Sequence, residues 1–167
     1  MDETTVTAYG DYTFSVLKPD EISEVLPLEH KHMAGYLDSP YFMYREKENE
    51  ADFIKNFNHQ SVYMAARHNG RMVAYMTAGQ GGETFIQNTP GYIHIKGAYC
   101  LPEHRRKGIS QQLLNRLTQT LKAQHYTRLG VDFESLNPSG SGFWLKHFTA
   151  YSHSVVRRID ENVLGKQ

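Results

Sequence analysis

The chain has 167 residues, a length typical of one domain with a single sizeable core. Its 18 basic and 18 acidic residues cancel, which argues against nucleic acid or an anionic membrane surface as a partner. No apolar run approaches the roughly 18 residues of a membrane span. The N-terminus is polar and unlike a secretory leader. The single cysteine, Cys100, has no intrachain disulfide partner. We therefore expect a cytoplasmic protein.

The N-terminal part is predicted to contain a lead-in, a strand and a helix. Residues 1 to about 11 lack hydrophobic periodicity and are predicted to form a loose lead-in to one domain over residues 12–167. The domain is predicted to start with a strand over residues 12–17. A helix that Asp20 caps, and that Pro27 kinks or divides, is predicted to follow.

The next stretch is predicted to contain a second helix and a hairpin. Asn49 and Asp52 mark the start of the helix. The β-rich runs 61–68 and 71–79 are joined by Asn69-Gly70, the strongest short-range signal for a two-residue hairpin turn.

The centre of the chain is predicted to be a strand, a basic turn and a helix. Residues 91–101 read as a strand that Pro102 stops. One buried helix face is then predicted from apolar residues that repeat every four positions, namely Ile109, Leu113, Leu117 and Leu121.

The basic turn between that strand and that helix has the sequence Arg105-Arg106-Lys107-Gly108-Ile109-Ser110. Gly108 and the small Ser110 leave the amide N–H groups of the first helical turn accessible. These amides, the positive end of the helix dipole and three cationic side chains predict an anion site, most simply for a phosphate or pyrophosphate. The alternative is a solvated run of charges.

The C-terminal part is predicted to add a strand over residues 128–134, a short helix that Asn137-Pro138 opens, and a final strand over residues 150–159. The order of strands and helices along the chain predicts an α/β sandwich around a mixed sheet.

The basic turn also resembles a family signature. Arg105-x-x-Gly108-x-Ser110 is similar to the Gln/Arg-x-x-Gly-x-Gly/Ala loop of the GCN5-related N-acetyltransferases, the GNAT superfamily, with Ser110 where Gly or Ala is usual. The predicted order of elements matches that family as well. The resemblance implies a GNAT-like sandwich: helices flank a mixed, mostly antiparallel sheet whose fourth and fifth strands splay apart, and the acyl-CoA arm lies in the gap.

The resemblance implies acetyl-CoA as a co-substrate, with its pyrophosphate on the basic turn. Residues 137–144 resemble a second family marker, in which Trp144 replaces a tyrosine whose phenol often protonates the departing thiolate. Backbone N–H groups around Cys100 and Leu101 are expected to polarise the thioester carbonyl. The implied cofactor-binding residues are Tyr99, Cys100, Leu101, Arg105, Arg106, Lys107, Gly108, Ile109, Ser110, Asn137 and Trp144.

Two other interpretations concern metal-binding and nucleophilic side chains. The nine histidines show no zinc-ligand spacing, so no metal site is predicted. Cys100 has no obvious base beside it in the sequence and is interpreted as a buried structural thiol rather than a nucleophile.

The choice of general base depends on the acceptor. An alkylamine with a pKa near 10.4 costs about 4.6 kcal/mol to neutralise at pH 7, whereas an α-amine costs only about 1 kcal/mol. His94 is the first candidate because it lies at the offset from the turn where histone-acetylating relatives carry a glutamate base. Glu134 is the reserve, together with Asp132 on the same strand face. The alternatives are a structural sheet histidine and solvated carboxylates.

The acceptor pocket is predicted to be lined by Tyr41, Phe42 and Tyr44, because the region between the first two helices borders that pocket in the family. The alternative is that these residues form a hydrophobic lid on the core. The predicted function is transfer of an acetyl group from acetyl-CoA to a primary amine of a small molecule or peptide, by direct attack in a ternary complex. The alternative is a non-catalytic acyl-CoA-binding module with a regulatory or structural role. The final strand could also pair with a second copy as a homodimer.

Overall fold

The computed structural model describes residues 7–36, 49–55, 61–81 and 89–153. Its strands are β1 (Thr7–Tyr9), β2 (Tyr12–Val16), β3 (Val62–His68), β4 (Arg71–Gly79), β5 (Tyr92–Cys100) and β6 (Arg128–Val131). Its α-helices are α1 (Leu26–Ala34), α2 (Glu50–Lys55), α3 (Ile109–Ala123) and α4 (Pro138–Trp144), and two 3₁₀ segments cover Pro19–Val25 and Pro102–His104.

The six strands form one sheet in which their order is the same as in the chain. The sheet is mixed and mostly antiparallel, as predicted. Strands β1 to β5 are antiparallel to their neighbours, and only β5 and β6 run parallel. The β5–β6 pairing ends at Ile95 opposite Val131, while β5 continues to Cys100. These two strands correspond to the predicted fourth and fifth strands, and their pairing ends at Val131, where β6 ends.

The extra strand β1 lies in the region predicted to be a loose lead-in. It pairs with β2 from Thr7 opposite Phe14 to Tyr9 opposite Tyr12, and the Arg116 side chain on α3 bonds to the Thr7 hydroxyl and the Ala8 carbonyl. A three-residue strand is too short to show a periodicity. Residues 7–9 are therefore ordered by tertiary contacts, and the lead-in prediction was wrong for them.

Pro27 divides the first helical region, as the sequence predicted. The 3₁₀ segment ends at Val25 and α1 begins at Leu26, so the proline lies in the first turn of α1, where its missing N–H costs no hydrogen bond. The predicted cap at Asp20 was wrong, because the helical segment already begins at Pro19. The Glu21 carboxylate instead accepts a hydrogen bond from the Lys18 backbone N–H, at 2.9 Å.

The turn and cap predictions for the second helix and the hairpin are confirmed. The Asn49 side-chain oxygen accepts from the Asp52 backbone N–H at 2.9 Å, one turn into the helical segment. Asn69 (φ 51°) and Gly70 (φ 77°) form the two-residue turn between β3 and β4 with the positive φ angles that this hairpin turn needs.

Two hydrophobic clusters pack on opposite faces of the sheet. Successive β3 residues Met64 and Ala65 belong to different clusters, as alternation along a strand requires. α3 covers one face, and its four predicted apolar positions, Ile109, Leu113, Leu117 and Leu121, are all buried. The first 3₁₀ segment and α1 cover the other face through Ile22, Val25 and Leu28.

Several predictions fall partly or wholly outside the described residues. Tyr41, Phe42 and Tyr44 lie there, and so does the final strand from residue 154 onward, with the dimer prediction that depends on it. Residues 150–153, which the structure describes, are not in a strand. β6 is shorter than predicted, since its pairing ends at Val131 rather than near residue 134. No helix among the described residues combines the length and apolarity that crossing a membrane requires.

Candidate active site

The basic turn between β5 and α3 forms a backbone nest at the helix N-terminus. Arg106 (φ 60°) and Gly108 (φ 77°) both have left-handed backbone conformations, and Gly108 is the N-cap of α3. A backbone that alternates between left-handed and right-handed conformations turns successive N–H groups toward one concavity, which suits an anion. Residues 105–108 are exposed, so packing does not close this concavity.

The amides of the nest are available for a ligand. In the part of the chain that the structure describes, none of the N–H groups of residues 106–111 donates to a protein acceptor. The first α3 amide with a partner is that of Gln112, which donates to the Gly108 carbonyl at 3.0 Å. The side chain of Ile109 is buried in the core, so this residue offers a ligand only its backbone. The turn therefore has the unbonded amides that the predicted anion site requires.

Arg105 holds the turn against the end of β5. Its Nε donates to the Cys100 carbonyl at 2.9 Å, and its guanidinium lies over the Tyr99 ring, 5.6 Å from the centroid. One residue before Arg105, a hydrogen bond of 3.0 Å joins the Tyr12 hydroxyl to His104 Nδ1. Burial, followed by the nearby charge of Lys107 and then by His68, lowers the pKa of His104. These contacts hold the start of the turn against β5 and β2.

Tyr9 is a neighbour of the nest that sequence reasoning missed. A Cβ at Gly108 would lie 3.2 Å from the Tyr9 hydroxyl oxygen, so the phenol of this β1 residue lies directly beside the glycine. Tyr9 is 44% exposed. No sequence signal marked it, because its position depends on the pairing of β1 with β2.

Among the strands that the structure describes, none pairs with the second half of β5 on the side of β6, and this stretch is called the open edge of β5. The Leu101 N–H donates to the Val73 carbonyl of β4 at 2.9 Å. Because successive strand residues direct their polar backbone groups to opposite edges, those of Cys100 and Ala98 point to the open edge. Of the N–H groups around Cys100 and Leu101 that are expected to polarise the thioester carbonyl, the Leu101 N–H is therefore already bonded to β4, and the Cys100 N–H faces the open edge.

Cys100 has a buried thiol, as predicted. Its side chain is buried in the core, and its Sγ donates to the Leu101 carbonyl at 3.6 Å. Burial raises the pKa of the thiol to about 11, against opposing contributions from Arg105 and Lys107. A thiol with this pKa is protonated at neutral pH and is a poor nucleophile.

His94 and Asp132 form a pair at the point where β5 and β6 separate. His94 Nε2 lies 3.2 Å from Asp132 Oδ2, and His94 lies opposite Gly130 one residue before the last paired position. The side chain of His94 is 7% exposed, whereas that of Asp132 is 42% exposed. The carboxylate is therefore the member of the pair that faces solvent.

Gly130 makes room for the residues beside this pair. A Cβ at Gly130 would overlap the hydroxyl of Tyr92 and would lie 3.4 Å from His94 Nδ1. Because Gly130 has no side chain, the Tyr92 and His94 rings can lie over β6 at this position.

The remaining predicted residues have other contacts. The backbone carbonyl of Glu134 accepts from the Asn137 N–H at 3.0 Å. Asn137 caps α4 by accepting from the Gly140 N–H at 3.0 Å. Trp144 is 8% exposed and packs edge-on against Phe143 and Phe148, at centroid distances of 4.8 and 5.8 Å. The roles of these residues toward a cofactor stay predictions.

The comparisons with known proteins agree with this geometry. The sequence matches the model of the acetyltransferase (GNAT) family over residues 29–148. The chain belongs to the GNAT acetyltransferase family. The matched segment includes β5, the nest and α4, which confirms the predicted family, its fold and acetyl-CoA as the co-substrate. A GNAT protein is an acetyl-CoA-dependent acyltransferase that transfers the acetyl group to an amine.

Solved structures share the fold at low sequence identity. A ribosomal-protein-alanine N-acetyltransferase from Brucella melitensis biovar Abortus 2308 is 17% identical, with a TM-score of 0.66 over 88% of this chain and 99% of that chain. The aminoglycoside 6'-N-acetyltransferase AAC(6')-Ih from Acinetobacter baumannii is 16% identical, with a TM-score of 0.63 over 89% of this chain and 98% of that chain. AAC(6')-Iy in complex with a CoA-based bisubstrate analogue is 12% identical, with a TM-score of 0.68 over 89% of this chain and 97% of that chain. The sequence has no significant match among curated proteins.

Proposed function

We propose that this GNAT enzyme acetylates a primary amine of a small molecule or peptide by direct attack in a ternary complex, with no covalent enzyme intermediate. The observation that carries this proposal is the nest of unbonded amides at residues 106–111, placed next to the open edge of β5. The neutral Cys100 thiol supports direct attack, since the one cysteine of the chain is unsuited to accept the acetyl group.

The described residues fit acetyl-CoA. The nest supplies N–H donors and the positive end of the α3 dipole for the diphosphate, with Arg106 and Lys107 beside it. The Ala98 backbone groups and the Cys100 N–H can pair with the amide groups of an extended arm, as a peptide does when it adds a strand to a sheet edge, while the Cys100 carbonyl already accepts from Arg105. When bound, the cofactor supplies an acetyl group activated as a thioester.

We propose that Asp132 receives the proton of the attacking amine and that His94 positions its carboxylate. Asp132 is the exposed member of the pair, and the His94 Nε2 atom, 3.2 Å from Asp132 Oδ2, restricts the orientation of the carboxylate. This refines the sequence prediction, in which His94 was the base and Asp132 belonged to the reserve. The cytoplasmic location and the homodimer stay predictions.

Titration calorimetry with acetyl-CoA, followed by a thiol-release assay on a panel of amines, tests the proposed function. We expect acetyl-CoA to bind and CoA to be released only when an amine is present. The non-catalytic module is the second candidate, because Trp144 offers no acidic phenol. That candidate requires binding without consumption of acetyl-CoA across the whole panel.

A further inference from the structure

Two tyrosines of the β1–β2 hairpin reach the turn that carries the nest. Tyr9 and Tyr12 are paired across the hairpin, so their side chains lie on the same face of the sheet, which is the face that α3 covers. The Tyr12 hydroxyl bonds to His104, whereas the Tyr9 hydroxyl lies beside Gly108. The hairpin therefore borders the turn from His104 to Gly108.

The different exposures of the two tyrosines indicate different roles. Tyr12 is 9% exposed, and His104 already uses its hydroxyl. Tyr9 is 44% exposed, and no residue in the described ranges bonds to its hydroxyl. Tyr12 thus holds the turn in place, while Tyr9 keeps a hydrogen-bonding group available for a ligand.

The Tyr9 hydroxyl is within reach of a ligand that lies on the nest. A Cβ at Gly108 would lie 3.2 Å from the hydroxyl oxygen, and a Cα–Cβ bond is about 1.5 Å long, so this oxygen lies within about 5 Å of the Gly108 Cα. The N–H groups of Gly108 and Ile109 flank that Cα, and neither donates to a protein acceptor. A phosphate carries several acceptor oxygens, so one oxygen can accept from these amides while another accepts from the phenol.

The position of Tyr9 relative to the nest is held by α3 itself. Arg116, in the second turn of this helix, donates to the Thr7 hydroxyl and, at 3.3 Å, to the Ala8 carbonyl. Its guanidinium also lies over the Phe14 ring, 4.4 Å from the centroid. The helix whose N-terminus forms the nest therefore also anchors β1, and little ordering of this strand is needed when a ligand binds.

We infer that Tyr9 is a cofactor-binding residue whose phenol hydroxyl donates a hydrogen bond to a phosphate group of acetyl-CoA on the nest. The diphosphate and the ribose 3'-phosphate share this chemistry. The phenol adds a neutral, directional donor to the cationic side chains of Arg106 and Lys107, and a hydrogen bond to an ionised acceptor is stronger than one between neutral groups. This inference rests on the proposed binding of acetyl-CoA at the nest and adds a residue that lies far from the family signature in the sequence.

The test compares the wild-type protein with Y9F, in which the ring still covers Gly108 and only the hydroxyl is lost. Y151F is the matched control, because Tyr151 is 53% exposed and lies outside β1, the turn and α3. Calorimetry measures the Kd for CoA and for dephospho-CoA, which lacks the 3'-phosphate. Thiol release in the presence of an amine measures kcat/KM with acetyl-CoA and with S-acetylpantetheine, which has no phosphate. Thermal unfolding measures the Tm.

We expect Y9F to raise the Kd for CoA roughly threefold to thirtyfold, because it loses a hydrogen bond to a charged group. The kcat/KM with acetyl-CoA should fall by a similar factor, whereas kcat/KM with S-acetylpantetheine and the Tm should stay at their wild-type values. Y151F should match the wild type in every assay. The effect of Y9F persists with dephospho-CoA if the diphosphate accepts the hydrogen bond, and disappears if the 3'-phosphate accepts it.

Three results would overturn the inference. An unchanged Kd for CoA in Y9F would show that the ring only covers Gly108. An equal loss of kcat/KM with S-acetylpantetheine, or an equal rise of the Kd in Y151F, would show that the effect does not arise from a contact between Tyr9 and a phosphate.

Failure of the proposed function gives different results. Absence of CoA binding by the wild type would refute the proposed function and this inference with it. Binding of acetyl-CoA without transfer to any amine would refute acetyl transfer alone, and the Kd of Y9F for CoA would still decide the role of Tyr9.

Discussion

Replacement of Gly108 by alanine is expected to weaken acetyl-CoA binding more than it destabilises the fold. Gly108 has a φ of 77°, and an alanine Cβ would lie 3.2 Å from the Tyr9 hydroxyl oxygen. A non-glycine residue in a left-handed conformation costs about 1–2 kcal/mol. For a domain of this size that corresponds to a Tm decrease of roughly 2–8 °C.

The effect on binding should be larger because the strain acts on several amides at once. Relaxing φ at the N-cap of α3 turns the N–H groups of residues 106–111 away from a shared anion. Losing even one hydrogen bond to a charged phosphate costs about 1.5–3 kcal/mol, so we expect the acetyl-CoA Kd to rise by at least about tenfold. Titration calorimetry measures the Kd and thermal unfolding measures the Tm.

Two further variants separate the causes. In G142A, the alanine lies in α4 with nothing within 4 Å of its Cβ, so both the Kd and the Tm should stay near wild type. In the double variant Y9F/G108A, the closest contact atom is removed while the left-handed strain stays. A lower Tm in G108A with an unchanged Kd would refute the argument, because it would show that the nest does not hold the cofactor.

The other predictions concern the proposed base, the cysteine and the glycine of β6. D132N should lower kcat/KM for an alkylamine acceptor by a factor of about 10²–10⁴, and kcat/KM for an α-amine by less. The affinity for acetyl-CoA should stay unchanged. An unchanged kcat/KM would remove Asp132 from the mechanism. Burial raises the pKa of Cys100 to about 11. Iodoacetamide should therefore alkylate Cys100 at pH 8 far more slowly in the folded protein than in the urea-unfolded chain. Equal alkylation rates would contradict the conclusion that Cys100 is a poor nucleophile. G130A should lower the free energy of unfolding by about 1–3 kcal/mol, since its Cβ overlaps the Tyr92 hydroxyl; a wild-type Tm would show that the Tyr92 ring repacks without cost.

The sequence predicted the features that local physics determines. The turn at Asn69-Gly70 needs two positive φ angles, and the apolar stripe of α3 needs a period near four residues; both are properties of neighbouring residues. The nest in the turn from Arg105 to Ser110 is also determined by residues that are neighbours in the sequence. The loop and the helix start that follows it are contiguous, so their joint effect was predicted from one short segment.

Features that depend on tertiary pairing were missed or assigned incompletely. β1 has three residues and exists through β2 and Arg116, so no local pattern could predict it. The Leu101 amide was assigned to the thioester because the sequence does not show that Val73 accepts from it.

For the same reason, the sequence alone could not assign separate roles to His94 and Asp132. Both residues were candidates, but their contact and their different exposures arise from the register between β5 and β6.

The central claim, that the nest and the open strand edge bind acetyl-CoA, is tested most directly by amide chemical shifts in a ¹H–¹⁵N spectrum titrated with CoA. The account predicts the largest shifts at the amides of residues 106–111, together with shifts at Ala98 and Cys100 on the open edge of β5. Saturable CoA binding that leaves the amides of residues 106–111 unshifted would contradict it.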